Sequence, residues 1–154
     1  MTQQAQARFF PADDLSGDGL ELVLVDTLPG DVEKGWMPSY CFEIRKESDT
    51  RTMGDICLRL GDERMARYEG HISFEIHEDF RGHNYAARAA RLLWSLAKAH
   101  GMNRLLICVG SANAPARRAT EKLGAVYLDT IAVPEDHPLR LTGAQEKARY
   151  VWEG

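Results

Sequence analysis

The sequence predicts an α/β fold of the α+β kind. A mixed, mostly antiparallel twisted sheet of about six or seven strands carries two main helices, in a single domain over 1–154. Three observations predict this. Strand-like runs crowd the first half of the chain, and the order strand–helix–strand–helix–strand fills the second. Residues 71–77 (HISFEIH) alternate strictly between polar and apolar, the period of a half-buried strand. Residues 104–109 (RLLICV) form a continuous apolar run after a long helix. That marks a strand covered on both faces and returned by a crossover, so the centre of the sheet should hold a parallel pair.

Taken in order, residues 1–19 read as flexible: Gln-rich, then Pro11, Asp13, Asp14 and a Ser-Gly-Asp-Gly turn. Residues 20–27 (LELVLVDT) make the first strand, closed by Leu28-Pro29-Gly30. The stretch 31–39 is broken by Gly35 and Pro38 and has room for about two helical turns at most. Residues 40–47 alternate up to a turn at Ser48-Asp49 and resume as a strand over 51–60, which predicts a hairpin. In 71–77, Ile72, Phe74 and Ile76 share one face; His71, Ser73, Glu75 and His77 share the other. From about 83 to 100, Ala86, Ala89, Ala90, Leu93, Leu96 and Ala97 recur every three or four residues as one helical stripe, and Gly101 stands where a left-handed end is wanted. Asn113 can cap a second helix with Pro115 in its first turn, ending at Gly124. Residues 125–133 and 148–152 read as the last strands.

The 154 residues are 44% hydrophobic and 27% charged, an ordinary globular composition. No run of about 18 apolar residues marks a membrane span. The N-terminus lacks the basic and apolar regions of a signal peptide. Three cysteines, Cys41, Cys57 and Cys108, lie in apolar runs and are expected to be reduced, buried small hydrophobes of a cytoplasmic chain. No Cys/His ligand spacing suggests a metal. A net charge of −4 argues against nucleic-acid binding but leaves room for an anionic cofactor held by local arginines.

Arg81-Gly82-His83-Asn84-Tyr85-Ala86 joins the alternating strand to the long helix. The first turn of a helix leaves backbone N–H groups unpaired and partly positive, and an oxyanion placed there collects several hydrogen bonds. Gly82, Ala86 and Ala87 are small enough for close approach. Asn84 tolerates a left-handed backbone, and Arg81 adds a cation. A pyrophosphate fits; the alternative is a plain strand-to-helix turn with Arg81 solvated. Neither GxxxxGK[ST] nor GxGxxG occurs, which leaves kinases, GTPases and nicotinamide enzymes unsupported.

With these residues in view, the chain resembles the GNAT superfamily of acetyl-CoA-dependent N-acetyltransferases, most of all over 70–125. The family motif Arg/Gln-x-x-Gly-x-Gly/Ala corresponds to 81–86. A second feature, an Asn followed by a helix ending in EKLGA, stands at Asn113 and 121–125. The helix style resembles the subgroup that acetylates ribosomal proteins and protein N-termini, and antibiotic-modifying relatives. The resemblance implies that the amides of 82–86 hold the pyrophosphate of coenzyme A. It implies further that Phe74, Glu75 and Ile76 pair with the pantetheine arm, that the Ile76 amide polarises the thioester carbonyl, and that Asn113 lies beside the arm, whether or not it is also a helix cap. Three departures stand out. Asn84 replaces the central motif glycine, Thr120 stands where the family often has a general-acid tyrosine, and the acceptor-binding helices shrink to about 31–39. The acceptor pocket is then open, or completed by a second subunit in a homodimer.

Acetyl transfer to an amine needs a base. Glu75 is the first candidate, His71 the second and Glu69 the third; the alternatives are an exposed carboxylate and a structural histidine with no chemical duty. His71, His77 and His83 recur every six residues, but no carboxylate or cysteine completes a metal set. Tyr85 is expected in the helix–sheet seam, and Trp36 and Met37 at the core edge. Arg88, Arg91, Arg117 and Arg118 form a solvated face from which one arginine can meet the cofactor's 3′-phosphate. The reading is therefore an acetyltransferase acting on a small-molecule or peptide amine by direct attack in a ternary complex. Its rival is a non-catalytic acyl-CoA-binding or regulatory module. An unrelated sugar-phosphate enzyme is a third possibility, for which no buried lysine or metal site is evident.

Overall fold

The computed structural model describes residues 8–13, 15–143 and 145–154. Among them, eight strands form one sheet: β1 Leu15–Gly17, β2 Leu20–Leu28, β3 Ser39–Lys46, β4 Thr52–Arg59, β5 Ile72–Ile76, β6 Leu105–Gly110, β7 Val126–Ala132 and β8 Glu146–Trp152. Helix α1, Tyr85–Ala99, joins β5 to β6, and α2, Ala114–Leu123, joins β6 to β7. The spatial order is β1-β2-β3-β4-β5-β6-β8-β7. The first five strands run antiparallel in succession. β5 and β6 run parallel and meet at Ile72 and Ile107. β8 inserts antiparallel between β6 and β7.

The period-2 pattern decides which face is dry. Tyr40, Phe42 and Ile44 of β3 and Ile56 and Leu58 of β4 are fully buried, in one cluster with Ala89, Leu93 and Ala97 of α1 and Leu123 of α2. Both helices thus cover the same face. Cys41, Glu43, Asp55, Cys57 and Arg59 alternate with those residues and point the other way. Toward β6 and β8 that second face carries a small cluster of Met37, Ala66, Leu106, Cys108 and Val151.

Several expectations need correction. The start of the chain is expected to be flexible, yet Phe9, Phe10, Ala12 and Leu15 pack on the core. Phe9 meets Tyr40 edge-on at 5.0 Å, the Phe10 N–H donates to the Tyr40 hydroxyl at 2.7 Å, and Leu15–Gly17 adds an eighth strand on β2. The apolar side chains in this polar stretch carry it onto the core; residues 1–7 lie outside the described residues. The 31–39 segment is not helical. Asp31 and Trp36 exchange backbone hydrogen bonds of 2.9 and 2.8 Å, and the Asp31 carboxylate takes the Glu33 amide at 3.0 Å, so an Asx turn wins over a helical one. Met37 is buried, but Trp36 is exposed with Lys34 over its ring. Cys108 is buried, whereas Cys41 and Cys57 are only partly so, because no helix covers their face. No helix among the described residues is long and apolar enough to cross a membrane.

Candidate active site

β5 bonds to β4 through its odd-numbered residues: the Arg59 N–H donates to the His71 carbonyl at 2.6 Å and the His77 N–H to the Met53 carbonyl at 2.8 Å. In an antiparallel pair the next residue along turns its N–H and C=O to the opposite side. Phe74 and Ile76 therefore point theirs toward β6, but the ladder to β6 is confined to Ile72 and Ile107. Beyond that pair the two strands diverge and the edge of β5 is open.

A side chain holds the closed end of this wedge. The His71 N–H donates to the Leu106 carbonyl at 2.7 Å, and the Leu106 N–H donates to His71 Nδ1 at 2.9 Å. Nε2 donates in turn to the Gly61 carbonyl at 2.8 Å. One acceptor and one donor nitrogen define a neutral imidazole, and burial pushes its pKa down. His71 is 1% exposed, so the expectation that it serves as a base is corrected: it rivets β5 to β6. Glu69 is likewise engaged, 3.3 Å from Arg59, and does not line the pocket.

The loop at the end of β5 turns through two left-handed residues, Gly82 (φ +92°) and Asn84 (φ +61°). Glycine takes this conformation freely and asparagine is among the few others that do so. The first bond of α1 runs from the Arg88 N–H to the Asn84 carbonyl at 3.0 Å. Among the described residues, the six consecutive amides of 82–87 have no backbone or side-chain acceptor. They cluster where the helix dipole is positive. Arg81 Nε clasps the Ile76 carbonyl at 3.1 Å, and Lys122 Nζ donates to Asn84 Oδ1 at 3.0 Å.

Open strand edge and open helix end face one cavity of about 500 Å³. Of the residues expected at a cofactor, Phe74, Ile76, Arg81, Gly82, Asn84, Tyr85, Ala86 and Asn113 line it, and so does Glu75. His83 does not; its exposed ring lies 5.2 Å from that of Tyr85. Tyr85 is buried in the core, with its ring beneath Arg88 and Lys46. Asn113 Oδ1 accepts from the Ala116 N–H at 3.2 Å, so it caps α2 while bordering the cavity. Pro115, Ala119 and Lys122, not among the residues expected at a cofactor, line it with Arg118. Their three- and four-residue spacing on one face of α2 was the available signal. The other arginines are occupied: Arg88 with Asp18 at 2.8 Å, Arg91 with the Lys122 carbonyl at 3.1 Å and Arg117 with the Tyr150 hydroxyl at 3.0 Å. Thr120 is fully buried and donates to the Ala116 carbonyl at 2.8 Å, away from the cavity.

The charge balance of the lining suits an anion. Arg81, Arg118 and Lys122 stand against one carboxylate, Glu75, despite the net charge of −4 for the chain. Glu75 is exposed and faces Asp55 across the sheet; burial, then the charge of Glu75, raise the Asp55 pKa. Among the described residues no group of three or more His, Cys, Asp or Glu side chains is placed to hold a metal ion.

The family model for the acetyltransferase (GNAT) domain matches residues 3–126. The chain belongs to the GNAT acetyltransferases. No curated protein sequence matches it. A structure from Chromobacterium violaceum assigned to the GNAT family superposes with a TM-score of 0.66 at 13% identity, over 99% of this chain and 92% of that one. The microcin C7 self-immunity acetyltransferase MccE, solved with acetyl-CoA and AMP, gives 0.58 at 16% over 75% of this chain and 61% of its own. A Salmonella typhimurium acetyltransferase that modifies the N-terminal serine of ribosomal protein L7/L12 gives 0.57 at 11%, over 75% and 64%. At such identities the likeness is one of fold, and this GNAT chain spans less than two thirds of the length of the last two. GNAT enzymes use acetyl-CoA as the acetyl donor.

Proposed function

We propose that this GNAT protein moves an acetyl group from acetyl-CoA directly to an amine acceptor in a ternary complex, within one domain over 1–154 of a cytoplasmic protein. The observation that carries this reading is that six unbonded amides, 82–87, and the unpaired edge of β5 border the same cavity. The amides of 82–87 receive the pyrophosphate, with Arg81 and Lys122 adding charge. Phe74 and Ile76 offer their backbone to the amide-bearing arm as a missing strand would. Ile76 N–H donates to the acyl carbonyl oxygen as negative charge builds on it, a single oxyanion donor.

Acetyl-CoA supplies a thioester whose thiol, near pKa 8.5 as for an ordinary thiol, leaves as thiolate. Among the described residues, Tyr85 is the one tyrosine or cysteine that lines the cavity, and its ring is buried beneath Arg88 and Lys46, so departure proceeds without a dedicated acid. The attacking amine must shed a proton as its nitrogen bonds the acyl carbon, and Glu75 is placed to take it, directly or through water. The acceptor is a small-molecule or peptide amine that approaches the face the helices leave open. A homodimer would extend that approach.

Isothermal titration with acetyl-CoA tests the donor site, and release of free thiol in the presence of a panel of amines, polyamines, aminoglycosides and peptide N-termini tests transfer. Failure to bind at millimolar acetyl-CoA would end the proposal. Binding without transfer to any acceptor would support a regulatory acyl-CoA module, a reading favoured by the locked Thr120 hydroxyl.

A further inference from the structure

The open face of the sheet carries a second chemical grouping, on β3 and β4. Cys41 on β3 and Cys57 on β4 are direct cross-strand partners, flanked by Ser39 and Arg59, the next pair on the same face. The Leu60 N–H donates to the Pro38 carbonyl at 2.7 Å, so 38 and 60 form a hydrogen-bonded pair. Counting inward along the register, 40/58 and 42/56 are of that kind and 39/59 and 41/57 are of the other, non-hydrogen-bonded kind. At non-hydrogen-bonded positions the Cα atoms approach to about 4.5 Å, within the span of roughly 4.4–6.8 Å that a disulfide requires. Both thiols are free and partly open to solvent.

We propose that Cys41 and Cys57 constitute a reversible dithiol–disulfide site that hydrogen peroxide oxidises. The local chemistry assigns each sulfur its role. Pairing with the Cys57 thiol, together with the Arg59 cation, lowers the Cys41 pKa to about 7, whereas the same pairing and burial raise that of Cys57. Arg59 also keeps its Nη1 buried without a hydrogen-bond partner, a donor left over beside the thiols. Cys41 is therefore the thiolate that attacks, and Cys57 the thiol that resolves. In the first step the Cys41 sulfur bonds one peroxide oxygen, the O–O bond breaks, and the departing hydroxide leaves as water after taking a proton, giving Cys41 sulfenic acid. In the second, the Cys57 sulfur displaces that oxygen as a second water and closes the S–S bond. The two thiols lose two electrons and the peroxide gains them. A dithiol reductant reverses the change.

Cys108 is the internal control. It is buried on the same face, its sulfur turned to the Ala66 and Arg67 carbonyls at 3.8 and 3.6 Å, and burial pushes its pKa to about 11. It should stay a thiol.

The test is brief exposure of the whole protein to hydrogen peroxide, followed by intact mass, peptide mapping and labelling with a sulfenic-acid probe. The wild type should lose the mass of two hydrogens, yield a crosslinked 41–57 peptide and recover both thiols in dithiothreitol. Cys57→Ser should accumulate probe-reactive sulfenic acid at Cys41, and Cys41→Ser should leave Cys57 unmodified. Arg59→Lys, which keeps the charge, should oxidise faster than Arg59→Gln. Persistence of both thiols, crosslinking only between molecules, or preferential oxidation of Cys108 would overturn the assignment. Because no readout involves turnover, it stands or falls apart from the transferase reading.

Discussion

Lys122 on the last turn of α2 reaches 3.0 Å to Asn84 Oδ1, the residue whose left-handed backbone starts α1. One ammonium thus braces the phosphate-facing loop and places a positive charge at the cavity. Lys122→Met should weaken acetyl-CoA binding by about tenfold, or roughly 1.4 kcal/mol, and flatten its dependence on salt, as titration at two ionic strengths would show. Asn84→Gly keeps the left-handed turn and should lose less than Asn84→Val, which adds strain of about 1–3 kcal/mol.

Arg118 is the arginine of its group with no ion pair or hydrogen bond among the described residues, and it lines the cavity. If it meets the 3′-phosphate of the donor, Arg118→Ala should cost several-fold in affinity for acetyl-CoA and nothing for its 3′-dephospho analogue. Equal losses on both ligands would place Arg118 elsewhere.

Glu75→Gln removes the single carboxylate of the cavity without changing its size. Turnover should fall by about a hundredfold or more, the usual worth of a positioned base, with acetyl-CoA affinity held or slightly raised. Unchanged turnover clears Glu75 of the role.

Gly54 lies opposite Ile76, and a Cβ there would overlap the Glu75 carbonyl oxygen. Gly54→Ala must push β5 toward the wedge. It should cost about 1–3 kcal/mol in urea unfolding and impair both donor binding and turnover, because the Ile76 amide moves with the strand.

His71 gives the pH signature. Its pKa is lowered in the folded chain, chiefly by burial, so the unfolded chain binds its proton first as pH falls. The stability it contributes is complete above the ordinary histidine value of about 6.5 and is lost below it, toward the folded pKa. His100, also lowered by burial, adds in the same direction. Denaturation midpoints should therefore drop between neutral pH and pH 5, and less so in His71→Gln, which starts from lower stability.

Most of the frame was legible because its signals are local. The alternation of 71–77, the alanine stripe of α1, and Asn113 and Gly124 around α2 each report their own backbone. What the sequence concealed depends on partners distant along the chain. His71 reads as a polar-face residue until β6, thirty-five positions on, presents Leu106 to it. The start of the chain looks loose until Tyr40 offers its hydroxyl to Phe10. Cys41 and Cys57 read as core residues because their apolar neighbours say nothing about which face a helix will cover.

The seam between β5 and β6 makes the protein two plates fastened at one end. Opening energy should be lowest there, so in hydrogen–deuterium exchange the amides of Phe74 and Ile76 should trade quickly in the free chain and slow sharply once a ligand laces the gap. A bound donor would then act as a structural member of the sheet, and occupancy should be readable as rigidity before any product forms.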